Sequence, residues 1–87
     1  MTKAAMNRLE KSDFFHEACE NVKAWDYYLH VGDTVRADEC MHNWLVAKSA
    51  LEFITGNLYG ISRNGETVSI VNERDDNDRL FTTAVHR

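Results

Sequence analysis

The stretch 58–71, LYGISRNGETVSIV, decides how this chain folds. Asn64-Gly65 is a favoured pair for a two-residue type I′ turn, because both central positions of that turn take positive φ. Such a turn predicts a hairpin over 58–71 with Arg63 opposite Glu66, Ile61 opposite Val68 and Tyr59 opposite Ile70. Side chains alternate across a strand. Tyr59, Ile61, Val68 and Ile70 therefore share one face, and Gly60, Ser62, Thr67 and Ser69 share the other. The first face is built for burial against helices and the second for water.

A lone hairpin is marginally stable. The segment 79–86, RLFTTAVH, is rich in β-formers and supplies a candidate third strand. Between it and the hairpin, Asp75, Asp76, Asn77 and Asp78 read as the connecting loop.

Upstream the period changes from two to about 3.6. Phe15, Ala18, Val22, Trp25 and Leu29 recur at steps of three and four, the mark of one helical face. Met6 and Leu9 fall on the opposite side, and Ser12 and Asp13 are good N-cap residues. A break near residues 12–13 is expected, followed by a helix to about His30 that ends at Gly32. Asp33 or Thr34 can cap the next helix, which should stop at Gly56. This second helix has two apolar faces. One carries Ala37, Cys40, Trp44, Ala47, Leu51 and Ile54; the other carries Val35, Val46, Ala50 and Phe53. A helix apolar on two sides is expected to be covered on two sides, here by the first helix and by the hairpin. The expected fold class is α+β: two or three helices packed on a small antiparallel sheet, in a single domain over 1–87.

Composition narrows the function classes. The 87 residues carry a formal net charge of −4, which disfavours a domain that grips phosphate backbones. No apolar run approaches the ~20 residues of a membrane span. The opening MTKAAMNRLEKSD lacks an apolar signal core, so a cytoplasmic location is expected, with Cys19 and Cys40 as reduced thiols.

Candidate chemistry is sparse. His16 with Cys19 and Cys40 with His42 could be read as zinc ligands. Cys40 and His42, however, point about 200° apart on a helix, and Cys40 shares the Trp44 stripe, where a thiol acts as a small hydrophobe. The acidic run 75–78 lacks the spaced carboxylates, sixth-position glycine and terminal glutamate of a calcium loop. Cys19 beside His16 has no group to orient the base, and no phosphate-cradling glycine loop is present. Neither an enzymatic activity nor a cofactor or metal is expected.

Two helices followed by a hairpin are similar in order to a winged helix, in which the helix before the wing enters the major groove. Here that helix sets Asp38, Glu39 and Glu52 against Arg36 and Lys48. Counterion release needs several unpaired cations on one face, so a small DNA-binding regulator is the second reading. The first is a protein that binds another protein. Glu10, Asp13, Glu17 and Glu20 form an acidic row on the first helix, suited to a host protein with a basic, nucleic-acid-binding surface. Tyr27, Met41 and Leu45 are candidate apolar contacts, including for a homodimer. In composition the chain resembles compact inhibitors from phages and mobile elements, such as anti-CRISPR and anti-restriction proteins.

Overall fold

The computed structural model describes the backbone of residues 3–86, and the side chains of residues 13–86 apart from Asp76. The element order is α1 (Lys3–Val31), α2 (Thr34–Thr55), β1 (Tyr59–Arg63), β2 (Thr67–Asn72) and β3 (Asp75–Ala84). The three strands form one antiparallel sheet in the order β1-β2-β3. The fold is α+β, with two helices packed on that sheet.

Glycine ends both helices where the sequence places it. Gly32 takes φ +78° and donates to the Leu29 carbonyl, while the next amide, Asp33, donates to the Tyr28 carbonyl. This pair of bonds satisfies carbonyls that the end of a helix leaves open. The Asp33 side chain then accepts from the Arg36 amide and starts α2, so that only two residues join the helices. Gly56 closes α2 at φ +76°, its amide donating to the Glu52 carbonyl.

The expected break near Ser12 and Asp13 is absent: α1 runs unbroken through both. Neither a proline nor a glycine interrupts it there, and serine and aspartate each cost a helix interior well under 1 kcal/mol. The side chains of Met6 and Leu9 lie outside those described.

The hairpin forms in a different register. Asn64 does not take positive φ. Instead its Oδ1 accepts from the Glu66 and Thr67 amides at 2.7 and 2.8 Å, and its own amide donates to the Thr67 carbonyl. This side-chain-closed turn lengthens the loop, so the pairing runs Arg63 with Val68, Ile61 with Ile70 and Tyr59 with Asn72. The shift is two residues, and a two-residue shift leaves each side chain on its original face. Arg63 consequently turns to a partner other than Glu66.

The acidic run is not the connection between β2 and β3. The chain reverses one step earlier, at Glu73 and Arg74, where the Asn72 side chain accepts from the Arg74 amide. Asp75 already pairs with Asn72, and Arg79 is the next to pair, with Val71. Residues 76–78 therefore bulge out of the ladder. Ser69, expected to face water, is fully buried: it sits on the central strand, bonded to Thr82 and covered by the Arg79 guanidinium.

The core joins three elements at once. Ala18, Cys19 and Val22 of α1 and Trp44, Ala47 and Leu51 of α2 meet Tyr59, Val68 and Ile70 of the sheet. The sheet thus lies across the groove between the helices. It does not reach the far flank of α2, so the expectation that the hairpin shields Val46 and Phe53 fails. Val35, Val46 and Phe53 are 68, 57 and 92% exposed. A sheet seated on both helices buries apolar stripes from each, and no further layer remains to cover that flank.

Leu51 and Phe53 stand two residues apart with opposite surroundings. Leu51→Ala is expected to lower the unfolding free energy by about 2–5 kcal/mol. Phe53→Ala should stay within about 0.5 kcal/mol of the parent. Urea denaturation followed by tryptophan fluorescence measures both.

Candidate functional site

Helix α1 buries one residue that its apolar stripe would exclude. Asp26 lies one turn beyond Val22 on the buried side and has no exposure to water. Its Oδ1 accepts from Arg63 Nε at 2.9 Å, and its Oδ2 accepts from the His86 backbone amide at 2.8 Å. The same Oδ2 is 2.6 Å from His86 Nδ1. One carboxylate so joins α1 to the end of β1 and to the chain beyond β3. Burial pushes this carboxyl up, but the His86 amide and ring and the Arg63 guanidinium outweigh it and hold the group below its ordinary value.

A second carboxylate does the same for α2. Glu52 accepts from the Tyr59 amide at 2.8 Å and from Lys48 Nζ at 2.9 Å. Burial pushes it up, and again these donors prevail and hold it below its ordinary value. β1 therefore starts pinned to α2 and ends pinned to α1. These two carboxylates hold the sheet in place, Asp26 through both of its oxygens and Glu52 through Oε2.

The thiols do not form a reactive centre. Burial pushes the Cys19 thiol up to about 11, and burial raises Cys40 as well. A thiol so shifted carries little thiolate at neutral pH, and thiolate is the nucleophile and metal ligand. Beside Cys19, His16 points to solvent, as does His42 near Cys40. Among the described residues, no group of three His, Cys, Asp or Glu side chains comes together as a metal site. No described helix is long and apolar enough to cross a membrane.

The acidic row has a definite place. Asp13, Glu17 and Glu20 are exposed on α1, with Glu20 3.8 Å from Lys23; the Glu10 side chain lies outside those described. Tyr27 continues that row one heptad beyond Glu20. It is 45% exposed, and its ring meets Tyr28 and His86 edge-on at 5.3 and 5.4 Å. Met41 and Leu45 separate: Met41 is half-buried against the core, while Leu45 is exposed. The structure therefore brings Tyr27 to the acidic row and leaves Met41 and Leu45 on the other helix.

The surface that sequence reasoning misplaced is the outer row of α2. Val35, Val46 and Phe53 stand in one line there, with Leu45 at its side. Periodicity marks such residues as a stripe, but cannot distinguish a stripe covered from within from one left for a partner. Sequence reasoning also missed Asp26, whose one signal is that of a lone acid in phase with Ala18 and Val22.

Comparison with protein-family models, with curated proteins and with solved structures gives no match.

Asp26 fixes the sign of an acid effect. A carboxyl with a folded pKa below its unfolded value adds stability above the unfolded value of about 4 and loses it as pH falls through the folded one. Asp26→Asn should lower stability by about 2–3 kcal/mol at pH 7, the size expected for bonds to a charged group. The difference from the parent should shrink as pH falls below about 4. Urea titrations at a series of pH values measure it; a difference that stays constant into acid would show that the charge of Asp26 is not what holds the sheet.

Proposed function

We propose that this chain is a non-enzymatic docking protein, an inhibitor or regulator that works by occupying a surface of another protein. The observation that carries the reading is Phe53, a large aromatic ring 92% exposed within a helix whose inner face is fully packed. Exposed apolar residues scattered singly need no explanation, but a row of them marks a contact surface. Phe53 stands in line with Val46 and Val35, and aromatic residues of this kind anchor interfaces.

The acidic row of α1 is the second element of the reading. Asp13, Glu17 and Glu20 are exposed and suit a partner with a basic surface. A host protein that itself binds nucleic acid presents such a surface. The net charge of −4 supports this choice over direct DNA binding. The cations of α2 also support it: Arg36 is engaged by Asp33 and lies over the Tyr28 ring, and Lys48 is bound to Glu52.

A photo-crosslinking amino acid placed at position 53 or 46 in bacterial cells should join the chain to one protein of different sequence. The same group at position 82, on the outer sheet face, should not. Reversing the charges of Asp13, Glu17 and Glu20 together should reduce the yield at low salt without moving the melting temperature. Absence of cross-links from position 53, or equal labelling from all three positions, would contradict the reading.

A further inference from the structure

The outer row of α2 runs straight along the helix. Residues 35, 39, 42, 46, 49 and 53 advance by alternate steps of four and three. Val35, Glu39, His42, Val46, Ser49 and Phe53 occupy them, and all six are exposed. A row with a mean period of 3.6 runs straight along the helix, and at a rise of 1.5 Å per residue its span of 18 residues makes a seam about 27 Å long, enough for a second helix to lie against. Helix α1 already packs on another side of α2, and the sheet on a third. An incoming helix would add to the helical layer without displacing either.

Charge selects which helix. Among the described residues, Asp38 and Glu39 form no ion pair, while Arg36 and Lys48 are engaged by Asp33 and Glu52. The six seam positions contain no lysine or arginine. A second copy of this chain therefore has nothing in its seam to meet Glu39. Antiparallel self-pairing about the middle of the row sets Glu39 against Ser49 and leaves the acid without a cation. Parallel self-pairing stacks Glu39 on its own copy, a like-charge contact that costs stability. Both copies also carry a net charge of −4.

From this seam and its unpaired acids we infer that α2 receives a basic amphipathic helix from a different protein, whose apolar residues cover Phe53, Val46 and Val35 and whose lysine or arginine meets Glu39 and Asp38. This rests on the docking reading above and names the chemistry of the partner. The recognition mode is helix against helix, with apolar anchors at i, i+3, i+4 and i+7. Phe53 lies 14 residues, about 21 Å, from Glu39. The apolar and cationic contacts must accordingly sit about four turns apart on the incoming helix.

The test uses a displayed library of amphipathic helical peptides with randomised charges beside a fixed apolar stripe, selected against the intact chain. Enriched peptides should carry lysine or arginine about four turns from the layer that covers Phe53. Phe53→Ala should weaken their binding about tenfold or more, as loss of an interface anchor does. Glu39→Lys should weaken it by a similar factor and Glu39→Gln by less. Raising salt from about 0.05 M to about 0.5 M should weaken binding to the parent and much less to Glu39→Gln. The melting temperature of each variant, measured alongside, confirms that it is folded.

Enrichment of neutral or acidic peptides, or affinities indifferent to Glu39→Lys, would overturn the charge assignment. A parent chain that sediments as a dimer and becomes monomeric in Phe53→Ala would make a second copy the occupant and overturn the inference. If no peptide is enriched while position 53 still cross-links another protein, the occupant is not a helix and the docking reading stands. If neither occurs, both fail.

Discussion

A carboxylate with no access to water stays ionised only where donors replace its hydration, and Asp26 is surrounded by them. The Arg63 guanidinium, the His86 amide and the His86 ring all converge on it. These groups come from the two ends of the sheet's path, since Arg63 closes β1 and His86 follows β3. Without the charge on Asp26, Arg63 would keep its own charge half-buried and unpaired, which is the costly half of a broken ion pair. This contact ties both edge strands of the sheet to α1.

Glu52 holds the opposite end of the same strand. It accepts from the Tyr59 amide, so β1 begins at α2 and, four residues later, ends at α1. A five-residue strand spans about 13 Å from first to last residue, enough to cross a pair of helices packed about 8–10 Å apart. The two pins thus orient β1 across the helix pair and place Val68 and Ile70 of β2 over the groove between them. Since both helices offer apolar stripes to that groove, the sheet is fully used there. The outer row of α2 is left free as a geometric consequence, and the docking proposal begins from that freedom.

Much of this was legible in the sequence because it is local. The glycines at 32 and 56, the Asp33 cap and the stripe Ala37, Trp44, Ala47 and Leu51 follow from backbone sterics and helical period alone. The facing of Tyr59, Ile61, Val68 and Ile70 survived an error in register, because a slip of two residues preserves side. What the sequence concealed is competition between local and distant bonds. Asn64 could offer a positive-φ turn or a side-chain-closed one, and the second prevailed, which freed Arg63 from Glu66 and let it reach Asp26. Asn72 closed the next turn early, so the acids of 75–78 entered β3. Above all, apolar period along α2 reported two faces without saying which one the sheet would choose. The bonds that seat the sheet join residues far apart in sequence, as Asp26 does with an arginine 37 residues away.

The seating of the sheet is best tested by nuclear Overhauser contacts among methyl and ring protons of the folded chain. The account predicts that the Val68 and Ile70 methyls show contacts to residues of both helices, among them Val22 and Leu51, and that the Phe53 ring shows none to any sheet residue. Contacts from the Phe53 ring to Ile61, Val68 or Ile70 would place the sheet on the outer flank of α2 and contradict it.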